Sequence, residues 1–236
     1  MKVFVKPLFW AGGFVLITSV STIMKFERIS VKMLTRVAHD GYVITTEADI
    51  YYSYTGKMVT HLKTPQEMFI INNARGEVTV YNVKDNTVYQ DQNPLFTTET
   101  SQIHIFFQNK RTDLGLRDMG FKAYNTKFED GLMITEWWPP MEMMSQIQKV
   151  ELVHDRQNPI YLAYVEATGS IIKKVYFYDY IQVGDIEFPT SITQIDYKAS
   201  NDSIVTKTVY SDIKVDNQMN TDYLDFEIPR NAKIIK

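Results

Sequence analysis

The sequence predicts a mainly β fold: a strongly curved antiparallel sheet, an incomplete β-barrel, covered by short helices. Three observations carry this. Residues 147–215 alternate apolar and polar side chains in successive segments. Two of these, Lys173-Lys174-Val175-Tyr176-Phe177-Tyr178-Asp179-Tyr180 and Ser203-Ile204-Val205-Thr206-Lys207-Thr208-Val209-Tyr210, are rich in β-branched and aromatic residues. Residues 44–89 form short β-like runs separated by polar, Gly-containing turns, a spacing that suits a meander and not βαβ units. Between these regions, residues 93–120 lose the two-residue period. Such a sheet must bury one broad apolar face, so the functional question is whether protein or a ligand covers it.

Taken in order, residues 26–36 suggest a first strand, with a short helix as the alternative, and Asp40-Gly41 signals a turn. Residues 44–54 alternate Ala48, Ile50, Tyr52 and Tyr54 against Glu47, Asp49, Tyr51 and Ser53, so the second face is itself partly aromatic. Runs at 58–62, 68–71, 78–81 and 87–89 complete the first meander, punctuated by Gly56, Pro65 and Gly76. Thr97 or Thr98 can cap a helix that sets Ile103, Phe106 and Phe107 on one side. Residues 113–119 read as a loop or a second short helix; strands resume at 120–124 and 132–138. Pro139-Pro140 then forces the chain out of the sheet, leaving a loop with Trp137, Trp138, Met141, Met143 and Met144. Strands at 148–154, 160–167, 173–180, 188–197 and 203–210 follow, and Asp225-Phe226-Glu227-Ile228-Pro229 supplies an apolar tail.

The 236 residues suit one domain with a single sizeable core. A formal net charge of −3, with no dense Lys/Arg block, argues against nucleic acid as a partner. Residues 1–21 read as a signal peptide, with Lys2 and Lys6 before an apolar run at 8–17 and Ser19-Val20-Ser21 at the cleavage site. An uncleaved inner-membrane anchor through residues 8–24 is the alternative. Residues 22–236 then form the single mature domain, and a periplasmic location is expected. With no Cys, the chain has no disulfide, thiolate metal site or lipid-modified cysteine.

No enzyme signature stands out. His39, His61, His104 and His154 fall on separate predicted elements, and no nucleophile elbow, P-loop or dinucleotide fingerprint occurs. No catalytic residue, metal site or cofactor is therefore expected. The apolar face offers Ile50, Tyr52, Met58, Leu62, Phe69, Val78 and Val80, with Ile103, Phe106 and Phe107 as cover and Phe177 on the later sheet. Trp137, Trp138, Met141, Met143 and Met144 would border an entrance, since Met adapts its shape and Trp offers amphipathic area. Each of these also serves as ordinary core or as a plug at a sheet edge, and a one-residue register error reverses its face.

Several pieces, in order, carry a family resemblance: Gly56-Lys57-Met58, Lys63-Thr64-Pro65-Gln66-Glu67-Met68, Arg75-Gly76-Glu77-Val78-Thr79-Val80-Tyr81, Met119-Gly120-Phe121, Trp138-Pro139-Pro140, residues 179–190 and Leu224-Asp225-Phe226-Glu227-Ile228-Pro229. Over residues 27–235 the chain resembles the LolA-like superfamily of outer-membrane lipoprotein-sorting proteins. That resemblance implies a half-barrel around an apolar cavity, non-catalytic binding or transfer of lipid or lipoprotein acyl chains, and partners among lipids, acylated lipoproteins and membrane-associated envelope proteins. One departure is the strand-like stretch 26–37, where the family has an amphipathic helix. The alternative function is a structural or protein-interaction component of an envelope complex whose core is filled.

Overall fold

The computed structural model describes residues 26–93, 97–198, 202–219 and 223–235. The expected signal peptide or anchor lies outside the described residues. Among the described residues, no helix is long and apolar enough to cross a membrane.

Alternation produces strands at every run it predicts. The first meander is β1 (Arg28–His39), β2 (Tyr42–Ser53), β3 (Met58–Thr64), β4 (Met68–Asn72), β5 (Glu77–Asn82) and β6 (Thr87–Gln92). The second is β7 (Lys122–Glu129), β8 (Leu132–Trp138), β9 (Ile147–Asp155), β10 (Asn158–Glu166), β11 (Ile171–Val183), β12 (Ile186–Tyr197) and β13 (Ser203–Val215). A terminal β14 (Lys233–Ile235) follows. All join one sheet in the order β14-β6-β5-β4-β3-β2-β1-β13-β12-β11-β10-β9-β8-β7. Pro189 is tolerated inside β12 because it faces Tyr180 of β11, whereas pairing of β12 with β13 starts at Ser191.

The sheet corrects the expected architecture. It is open, with β7 and β14 at its two ends, and is neither strongly curved nor rolled into an incomplete barrel. Nor is it wholly antiparallel, because β14 pairs with β6 in parallel. The reason is visible in β2. Ile50 and Tyr52 enter a large apolar cluster on one face, and Tyr51 between them enters a second cluster on the other. A sheet packed on both faces has no single apolar side to roll around.

The front face is covered by α1 (Gln102–Phe107) and the loop that follows it. The Ser101 hydroxyl caps α1, accepting from the His104 backbone N–H at 3.1 Å. Thr97 caps the 3₁₀ turn just before it, at Thr98–Thr100. From α1, Phe106 meets Phe177 and Phe188 edge-on at 5.7 Å each, and Phe107 stacks on Phe188 at 4.9 Å. Burial of each such ring contributes about 1.5–3 kcal/mol. Arg111 pins the loop, donating to Asn158 at 3.1 Å, Gln157 at 3.1 Å and Glu187 at 3.3 Å.

The back face is covered by the C-terminal tail. Phe226 stacks on Phe69 at 3.8 Å; Tyr223 stacks on Tyr51 at 5.0 Å and on His61 at 5.4 Å. Met219 and Leu224 complete this cluster. The tail is tied down by Lys57, which donates to the Leu224 carbonyl, and by Asn86, which donates to the Asn231 carbonyl at 3.2 Å.

Candidate binding site beneath the helix

The front cluster does not fill all the space under α1. A recess of ≈ 220 Å³ lies between α1, its following loop and strands β10–β12. Its floor is Leu162, Val175 and Phe177, which cross-strand pairing and alternation place on one face. Its roof is Ile105, Phe106, Leu114 and Met119. A second recess of ≈ 170 Å³ shares Ile105, Leu114 and Met119 with the first and reaches Thr97 and Asp118. Leu114 holds a left-handed backbone (φ 50°) beside Gly115 (φ 79°), a tight reversal that turns the loop back over the sheet.

Polar side chains complete the lining. Lys173, Tyr164 and Gln194 line the recess, and Gln102 lines it while accepting from the Tyr210 hydroxyl at 3.2 Å. Lys173 Nζ lies 3.3 Å from Asp196 Oδ1, and Gln194 donates to Asp196 Oδ2 at 2.6 Å. Burial pushes the Tyr164 hydroxyl pKa up, so it stays a neutral phenol at physiological pH.

Beside the recess runs a buried relay. Gln108 donates to the Tyr52 hydroxyl at 3.1 Å, which leaves that hydroxyl to donate to His104 Nδ1 at 2.9 Å. His104 then carries its proton on Nε2, which is buried without a hydrogen-bond partner. Burial, with Lys110 nearby, pushes its pKa down. His154, 2% exposed, donates from Nε2 to the Arg111 carbonyl at 3.1 Å and is likewise held neutral by burial.

Of the residues read from sequence, Phe106 and Phe177 line the recess. Ile50, Tyr52, Ile103 and Phe107 belong to the packed front cluster around it, with Met58 at the edge of that cluster. Pairing puts Leu62, Val78 and Val80 on the same sheet face as Ile50, Tyr52 and Met58, away from the recess. Phe69 is on the opposite face, beneath the tail. Trp137 points into the core, 2% exposed, with the Arg117 guanidinium 5.7 Å above its ring. Trp138 points outward and stacks on Tyr124 at 4.1 Å. Met141, Met143 and Met144 are exposed and do not line the recess. Their loop nonetheless adjoins it: a Cβ on Gly120, the neighbour of Met119, would lie 3.3 Å from Pro140.

Sequence reasoning missed Ile105, Leu162, Tyr164, Lys173, Val175 and Gln194 as lining residues. Leu162, Tyr164, Val175 and Lys173 were discoverable as the alternating positions that pair across β10 and β11 with Phe177. The structure also gathers His39, Asp40 and Asp202, from two separate turns, within 4.8 Å. Lys198 Nζ sits 2.7 Å from His39 Nε2, so the cluster already contains a cation of its own.

The architecture is thus an open, mainly antiparallel sheet with a short helix set over an apolar recess on one face. No protein-family model matches the chain, and no curated protein matches it. Solved structures do share the fold. A LolA superfamily protein from Nitrosomonas europaea superposes with a TM-score of 0.55 at 13% identity, over 84% of this chain and 90% of that one. A DUF1329 family protein from Desulfovibrio piger gives 0.56 at 13%, over 86% and 91%. A putative outer-membrane lipoprotein-sorting protein domain from Vibrio parahaemolyticus gives 0.54 at 13%, over 84% and 89%. The chain thus has the fold of LolA- and DUF1329-like proteins.

Proposed function

We propose that this protein binds a lipid or lipoprotein acyl chain non-covalently in the recess beneath α1, and carries or presents it within the cell envelope, in the periplasm. The observation that carries the reading is the recess itself: an apolar floor and roof, with Gln102, Tyr164, Lys173 and Gln194 as its polar lining. The fold shared with LolA superfamily and lipoprotein-sorting structures supports it. A methylene leaving water gains about 0.8 kcal/mol, so eight of them supply roughly 6 kcal/mol before ordering costs. The work asks nothing of nucleophiles or acid–base pairs. Donor and acceptor proteins would meet the carrier at the α1 side, where the loop from Asn109 to Met119 must shift for a chain to enter.

The test is native mass spectrometry of gently purified protein, followed by extraction and identification of bound lipid. Acyl-bearing cargo is expected, and Leu162→Trp, which fills the recess from its floor, is expected to abolish it while circular dichroism stays unchanged. Met119→Asp in the roof provides a second, less buried variant, since Met119 is 43% exposed. If both variants fold and still carry the same cargo, the chain is not held in this recess and the reading falls.

A further inference from the structure

Given an acyl chain in the recess, its size and its polar lining select among amphiphiles. A cavity of about 150 Å³ takes one benzene. By proportion, ≈ 220 Å³ takes a hydrocarbon segment of roughly nine carbons. A neighbouring recess of ≈ 170 Å³ lies across Ile105, Leu114 and Met119, and a shift of those side chains would join the two to hold roughly sixteen. That is one chain laid end to end, not two or three side by side.

At Lys173, charge is balanced. Lys173 faces Asp196 across β11 and β12 in register, their charged atoms 3.3 Å apart. Gln194 fixes the other Asp196 oxygen at 2.6 Å. Both charged side chains are about one-third exposed, 37% and 31%, so a head group can reach them from solvent. A free fatty carboxylate approaching Lys173 would also approach Asp196 and be repelled. A zwitterionic head meets both: its phosphate lies against Lys173 while its ammonium lies against Asp196.

We propose that the site accepts a single-chain amphiphile with a zwitterionic phosphate–ammonium head, with the Lys173–Asp196 pair as its specificity determinant. This rests on the recess holding an acyl chain; the head-group selection is additional to it.

Three probes of equal chain length decide it, each titrated below its micelle concentration or from dilute vesicles: palmitoyl lysophosphatidylethanolamine, dipalmitoyl phosphatidylethanolamine and palmitate. One-to-one binding of the lysolipid is expected, at least about tenfold tighter than either competitor. Asp196→Asn leaves Lys173 uncompensated, so palmitate should gain and the lysolipid should lose, reversing their order. Lys173→Met should weaken the lysolipid without helping palmitate. A merely structural pair would lower all affinities together and leave the ranking intact, which overturns the proposal, as does equal binding of the diacyl lipid. Acyl binding without head-group preference removes this inference alone; binding of none of the three probes removes the carrier reading as well.

Discussion

The two faces of the sheet are built from the same alternating strands, yet they are finished differently. On the back, the tail lays Tyr223 and Phe226 flat onto Tyr51, His61 and Phe69, and Val59 beneath them is wholly excluded from solvent. On the front, a helix of six residues meets a wider surface. It seals Phe106 and Phe107 against Phe188 but leaves the neighbouring strands β10–β12 partly roofed. Buried polar atoms without a hydrogen-bond partner occur on both sides, His104 Nε2 and Trp137 Nε1 on the front and His61 Nδ1 on the back, so the contrast is one of packing and not of polar satisfaction. The smaller back cluster is closed by flat rings laid on the strands, while room is left in the larger front cluster where a short helix spans too little of the sheet.

The sharpest way to break this contrast is to cut one stack. Phe69→Ala should cost about 3–5 kcal/mol in urea unfolding, while acyl binding by the folded fraction stays unchanged. Acid should act on the front instead. Burial holds His104 and His154 below the ordinary histidine pKa, so the unfolded chain takes up protons first as pH falls. Stability is therefore full above about pH 6.5, the unfolded value, and declines as pH falls below it, read as a falling Tm. A His104→Gln, His154→Gln double variant should flatten that profile, measured by calorimetry across the range. Leu162→Phe adds a ring to space already empty, and should change stability by less than about 1 kcal/mol. The same variant should still lower acyl affinity about tenfold, whereas enlarging the wholly buried Val59 on the back should cost about 1–3 kcal/mol. The smallest effect belongs to β14: with all three residues exposed, ending the chain at Ala232 should cost under about 0.5 kcal/mol.

Much of this was legible in the residues. Period-two alternation located β1–β13, and the spacing of Ile103, Phe106 and Phe107 located α1. The sign of each side chain was harder. Ile50, Tyr52, Met58, Leu62, Val78 and Val80 do share a face, but Phe69 sits in a strand whose partners His61 and Tyr81 face the tail. Trp137 and Trp138 read alike in sequence and part company because neighbours on a strand point oppositely. The expected roll of the sheet failed for a related reason. Nothing local in Met219 or in residues 223–232 says that they cover the back, and without that cover an aromatic second face looks merely half-wet. Pairing over 150 residues or more, such as Tyr51 with Tyr223, lies beyond any window of periodicity.

The first strand lies in the middle of the sheet. β1 is hydrogen-bonded on one side to β2, its immediate neighbour in the chain, and on the other to β13, with Ala38 opposite Val205 and Leu34 opposite Val209. The N-terminal meander thus has an open flank that stays unmatched until β13, near the C-terminal end of the chain, reaches it. Closing that gap carries a large loop entropy, so assembly should be slow for a protein of this size. Until then the flank of β1 is an unpaired edge, open to association with other chains.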